Sequence, residues 1–249
     1  MSAAKGNAIK LAINCDMGES FGLYKIGDDE GMMPHITIAN VACGFHASDP
    51  TVMAHTVRLA KRHHVRVGAH PSLPDLQGFG RREMKMRPEE LTDCIVYQVG
   101  ALKGFLEREG MDLFHVKPHG SLYGMAAKSQ EVAKAVADAA KVFNVPVLGM
   151  AGTLHEQVYT AAGLEFISEY YADLDYADDG TLIITREHHA VDPKRAAEGA
   201  LRAVKEGVAK SVNGQTVHVR ADCICVHSDT PNAVEVAQAV KAAVADHLG

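Results

Sequence analysis

Seven short apolar runs punctuate the chain, at 9–15 (IKLAINC), 36–42 (ITIANVA), 65–69 (VRVGA), 112–116 (DLFHV), 145–150 (VPVLGM), 164–168 (LEFIS) and 223–227 (CICVH). Each has the length of a buried strand, and each is bounded by turn-forming or polar residues. Between them lie stretches of helical period near 51–63, 88–109, 130–143, 153–162, 193–208 and 231–247. Strand alternating with helix predicts a parallel sheet whose crossovers are helical. Asp49-Pro50, Arg87-Pro88, Asp192-Pro193 and Thr230-Pro231 each place a proline where the first turn of a helix tolerates its missing N–H. The least regular stretch, about 170–192, is expected to leave the barrel as a lid, with a hairpin around Asp179-Gly180.

No linker, charge block or low-complexity tract divides the 249 residues, so a single domain spanning 1–249 is expected. A hydrophobic fraction of 47% and a charged fraction of 22% are those of an ordinary globular chain. The net charge of −6 lacks the basic footprint that nucleic acid requires. Five cysteines, an odd number, most of them inside or beside apolar runs, fit reduced thiols in a cytoplasmic protein. Cys223 and Cys225 share a strand face and read as small core residues. No run of about 18 apolar residues is present, so neither a membrane span nor a secretion signal is expected. The oligomeric state, a homo-oligomer included, is left open.

The chemistry lies in where polar residues fall. The first strand runs into Asn14, Asp16 and Glu19, the second into His46, the third into His70 and the fourth into Lys117-Pro118-His119. The sixth runs into Glu169 and Asp173, and the seventh into His227 and Asp229. In a closed parallel barrel the loops that follow the strands share one face, where such groups converge. Taken singly, each histidine is most simply structural; structural histidines, however, have no reason to favour one end of successive strands.

Other histidines do not share that placement. His63 and His64 close an amphipathic helix, while His35, His55, His155 and His247 read as surface or packing residues. The pair His188-His189 reads as solvated rather than ligating. After the third strand, QGFGRR joins Gly78 and Gly80, which let backbone approach a ligand, to Arg81 and Arg82, which suit a carboxylate or phosphate. Neither a G-x-x-x-x-G-K-[ST] loop nor a G-x-G-x-x-G turn into a helix is present, so the chain shows no familiar nucleotide site.

Five blocks, LAINCDMGESFG, IANVACGFHASDP, VGAHPSLPDLQGFGRR, HVKPHGSLYG and ICVHSDTP, resemble those of the LamB/YcsF family and span 11–231. The resemblance implies a seven-stranded relative of the TIM barrel, similar to the glycoside hydrolase/deacetylase barrels. It also implies the activity of the A subunit of ATP-dependent 5-oxoprolinase, which opens a small-molecule lactam, 5-oxo-L-proline, to L-glutamate with B and C subunits. Leu174 and His188-His189-Ala190 depart from the family pattern, both within the expected lid.

On that reading ATP is a co-substrate of the complex, handled by the partners. Asp16, Glu19, His46, His70, Lys117 and His119 are the expected catalytic groups: Asp16 or a histidine as base, Lys117 with His119 as positive field, Glu19 as a secondary acid or base. Asn14, Gly78, Gly80, Arg81, Arg82, Glu169, Asp173, His227 and Asp229 are expected to bind substrate or anion. The similarity to deacetylase barrels raises an alternative in which Asp16 with His46, His70 and His119 holds a divalent metal. The Lys117 ammonium among those ligands argues against an obligatory ion. Two other functions stay open, a stand-alone metal-dependent deacylase of a small amide or sugar and a non-catalytic carboxylate-binding subunit.

Overall fold

A computed structural model describes residues 11–183 and 189–249 of the protein. Seven parallel strands close a barrel: β1 (Ala12–Met17), β2 (Ile38–Ala42), β3 (Arg66–His70), β4 (Leu113–Val116), β5 (Val147–Gly149), β6 (Phe166–Tyr171) and, after two small hairpins, β11 (Cys223–Val226). Neighbours around the barrel are neighbours in chain order, and β11 closes it against β1 with Asn14 opposite Cys225. This is the expected α/β barrel of seven strands.

The hairpins are β7 (Asp175–Tyr176) with β8 (Leu182–Ile183), and β9 (Val208–Lys210) with β10 (Thr216–His218). The first is the hairpin expected around Asp179-Gly180. The second turns near Asn213-Gly214, where Gly214 takes φ +79°.

Eight helices accompany the strands among the described residues: α1 (Asp29–Met32), α2 (Pro50–Arg62), α3 (Pro88–Glu109), α4 (Gly120–Lys128), α5 (Gln130–Phe143), α6 (Leu154–Ala161), α7 (Pro193–Glu206) and α8 (Ala233–Ala243). Asp49 and Asp192 cap α2 and α7, with the following prolines in the first turn. Helix α8 starts later than Thr230-Pro231 predicts, with Asn232 at its N-cap. Helix α4 is absent from the sequence pattern, because Pro118 and Gly120 in its approach read as a turn.

Side chains alternate across each strand. Ile13, Cys15, Met17, Ala39, Val41, Val67 and Ala69 belong to the main core outside the barrel. Ala12, Ile38, Leu148, Ile167 and Cys223 form a separate apolar plug, with Phe114 packed against it. Beyond that plug the interior turns polar. Gly68 is what admits the His115 ring there, since a Cβ at that position would lie 2.0 Å from ring carbon Cε1. None of the described helices is long and apolar enough to cross a membrane.

Candidate active site

A ladder of hydrogen bonds climbs the barrel interior to Asp16. His115 Nε2 donates to Asn40 Oδ1 at 2.7 Å, because an amide oxygen can only accept. Asn40 Nδ2 then donates to Asn14 Oδ1 at 2.7 Å and to Asp16 Oδ1 at 2.8 Å. Lys117 Nζ donates to Asp16 Oδ1 at 3.1 Å, Asn14 Oδ1 at 3.2 Å and Cys225 Sγ at 3.2 Å, and lies 3.1 Å from Glu169 Oε1. All of these groups are buried.

This network sets the charge states. Burial would raise the Asp16 carboxyl, but the charges of His70 and Lys117 outweigh it and hold the group well below the usual carboxylate range. Burial would likewise lower the Lys117 ammonium, yet Asp16 foremost keeps it well above its ordinary value. Lys117 is therefore a committed cation, balanced by Asp16 and Glu169.

The other Asp16 oxygen, Oδ2, lies 3.2 Å from His70 Nε2. His70 Nδ1 donates to the Lys117 carbonyl at 2.8 Å, and His119 Nε2 donates to the Phe79 carbonyl at 2.8 Å. His70 Nε2 and His119 Nδ1 face each other at 2.9 Å. His46 stacks on His119 with ring centroids 3.8 Å apart, and Glu19 Oε1 lies 3.2 Å from His46 Nε2 and 3.3 Å from His119 Nδ1. Burial holds His46 and His119 well below the usual imidazole range. Burial pushes Glu19 upward.

Glu19, His46, His70 and His119 place one ligand atom each within 4.8 Å of all the others, a buried set with the donor chemistry of a cation site. Asp16, expected among those ligands, lies outside this set, which includes Glu19 instead.

Just past β11, His227 is held by Asp173 from the segment after β6: Asp173 Oδ2 accepts from the His227 backbone N–H at 2.6 Å while Oδ1 lies 2.9 Å from ring Nδ1. Burial opposes charge on His227, but Asp173 outweighs it and raises the imidazole well above its ordinary value. The His227 ring also stacks on Tyr171, centroids 5.9 Å apart.

Of the QGFGRR loop, Arg81 alone reaches the mouth. Its Nη2 donates to Asp229 Oδ2 at 3.0 Å, tying the loop after β3 to the loop after β11. Arg82 is turned away, its Nε 3.0 and 3.1 Å from the two Asp75 oxygens, and Gly78 N–H donates to the same carboxylate at 2.9 Å. Gly78 and Arg82, expected to bind an anion, are thus both held on Asp75 inside the loop. Gly80 serves packing: at φ +64° it lies against the histidines, where a Cβ would come within 2.9 Å of both His46 Cβ and His119 Cδ2.

Asp16, His70, Arg81, Lys117, His119 and His227 line one cavity of about 70 Å3 at the mouth, with His46 and Glu19 beneath. A larger cavity of about 650 Å3 lies beside it, lined by α7, by residues between Tyr170 and Ile183 and by His189 to Asp192. That cavity lacks the convergence of strand-end groups, so the small mouth is the candidate site. Asn40, His115, Tyr123 and Tyr171 join it without having been expected from the sequence. Polar Asn40 and His115 inside otherwise apolar strands are the signal available for the first two. His188 lies outside the described residues, and His189 is exposed.

The profile of the LamB/YcsF family matches residues 11–248. The chain is 47% identical over 239 residues to the "Lactam utilization protein lamB" of Emericella nidulans, covering 94% of each. It is 46% identical to the A subunit of 5-oxoprolinase from Bacillus subtilis, covering 93% of this chain and 92% of that protein. The crystal structure of a lactam utilization protein from Thermus thermophilus superposes with a TM-score of 0.89 at 43% identity, covering 96% of this chain and 97% of that one.

Proposed function

The chain belongs to the LamB/YcsF family, and from that premise we propose that it is the lactam-opening A subunit of an ATP-dependent 5-oxoprolinase, hydrolysing 5-oxo-L-proline to L-glutamate. The observation that carries the reading is the convergence of Asp16, His70, Lys117, His119 and His227, from four strand ends, on one small mouth closed by Arg81. A five-membered lactam is a stabilised amide that re-forms readily, so its opening needs coupling. B and C partner subunits supply the nucleotide chemistry, consistent with the absence of a nucleotide loop here.

Phosphorylation of the amide oxygen by ATP makes the ring carbon electrophilic. Water adds to that carbon, the C–N bond breaks as the ring nitrogen gains a proton, and a second water releases phosphate from the acyl phosphate. Asp16, kept ionised by His70 and Lys117, receives the proton of the attacking water. His227, kept cationic by Asp173, delivers a proton to the departing nitrogen. Arg81 exchanges Asp229 for the substrate carboxylate. At about 70 Å3 the cavity is far smaller than the roughly 300–1,000 Å3 of open ligand pockets, so the Arg81–Asp229 bridge parts on entry.

The test is ATP-dependent glutamate release from 5-oxoproline by this chain alone and with B and C subunits. Release by the three together and none by the chain alone is expected. The buried Glu19 and histidine set favours one second reading, a metal-dependent hydrolase of a small amide. That enzyme would act without ATP or partners and lose activity to chelators.

A further inference from the structure

The histidine cluster carries a hydrogen-bonding conflict. A carbonyl oxygen can only accept, so His70 places its proton on Nδ1 toward Lys117 O, and His119 places its proton on Nε2 toward Phe79 O. With both rings neutral, two lone pairs, on His70 Nε2 and His119 Nδ1, are left facing each other at 2.9 Å. Glu19 Oε1, another acceptor, lies 3.3 Å from His119 Nδ1. All of this is buried, where opposed lone pairs are costly.

A single added proton would relieve the pair. On His119 Nδ1 that proton would sit beside His46, whose ring lies parallel at 3.8 Å and 7°, and on His70 Nε2 it would be shared with Asp16 Oδ2 at 3.2 Å. A divalent cation relieves the conflict without charging any ring. Three of the six donor separations, 2.9, 3.2 and 3.3 Å, match the edges of roughly 3.3 Å of a tetrahedron with bonds of about 2.0–2.1 Å, and all six lie within 4.8 Å. Imidazole ligands characteristically donate their second nitrogen to a carbonyl or carboxylate, as His70 and His119 do here.

We infer that Glu19 Oε1, His46 Nε2, His70 Nε2 and His119 Nδ1 form a binding site for one divalent first-row transition ion of the zinc type. Lys117 is no obstacle, since Asp16 and Glu169 balance its charge and Asp16 stands between it and His70. The inference is independent of the amide that the enzyme opens, because its readout is metal binding.

The full-length chain, stripped with a chelator, is titrated with zinc against a chromophoric competitor and separately with cobalt(II), whose visible bands report coordination number. One ion per chain is expected, with the intense cobalt bands of a four- or five-coordinate site. Glu19→Gln and His119→Asn, each checked for folding by circular dichroism, should each weaken binding by more than the roughly 10- to 100-fold typical of losing an outer partner. Arg82→Ala should bind as the parent does. If no stoichiometric ion binds, or if a folded Glu19→Gln or His119→Asn chain keeps parental affinity, the site is overturned.

Discussion

Asp173 holds His227 at two points, one carboxylate oxygen accepting from the backbone N–H at 2.6 Å and the other lying 2.9 Å from ring Nδ1. Both the orientation and the charge of the imidazole follow. The ring is fixed with Nε2 away from Asp173, and the facing carboxylate raises its pKa well above the ordinary value despite burial.

The first prediction is a pH dependence. A histidine with a raised folded pKa contributes stability that is fully present below its ordinary value, about 6.5, and lost as pH rises through the raised one. Asp173, held below the usual range against burial by His227, contributes stability above about 3.9 that is lost as pH falls through its depressed value. As a general acid, His227 should support turnover until pH passes its raised pKa. Asp173→Asn should move that alkaline limb to lower pH, and His227→Gln should lower kcat by roughly 10²- to 10⁴-fold. The check is a pH–rate profile of the reconstituted complex; an unmoved limb in Asp173→Asn would remove His227 from the acid role.

Lys117 is the counter-charge of two buried carboxylates. Lys117→Met should therefore destabilise the fold by about 3–5 kcal/mol, the scale of breaking a buried pair by removing one partner. Glu169→Gln leaves the Asp16–Lys117 pair in place and should cost less. Denaturant unfolding at neutral pH measures both. Equal, near-parental stabilities would mean that the ammonium is not the structural counter-charge of Asp16.

The two arginines of the loop after β3 should separate. Arg81→Ala should raise the apparent KM roughly 10- to 100-fold through loss of a charge-assisted contact of about 1.5–3 kcal/mol. Arg82, an exposed side chain braced on Asp75, should tolerate alanine with near-parental kinetics and near-parental stability. Steady-state kinetics on both decide it, and a KM effect at Arg82 alone would reverse the assignment.

All seven barrel strands are legible in the sequence because a strand buried on both faces writes a compact apolar run. Their ends are less so. Strand β6 extends to Tyr171, three residues past the apolar run, which places Glu169 inside the barrel beside Lys117 rather than in a loop. The strand-end groups are legible individually, but their partners are not, since nothing in sequence spacing says that Glu19 rather than Asp16 meets three histidines. Similarly, QGFGRR offers two guanidiniums of equal promise, and only the fold turns Arg82 onto Asp75. The β9–β10 hairpin carries its signal, Asn213-Gly214, and the helical period running to 208 obscures it.

The most direct test of the central claim is glutamate release by the reconstituted complex when the chain carries Asp16→Asn. That change keeps the shape of the side chain but removes the base proposed for the attacking water. The account predicts a folded protein that still assembles with its partners yet releases glutamate at least about 100-fold more slowly. Release at the parental rate would contradict it, moving the chemistry out of this barrel and leaving the chain a carrier of the lactam.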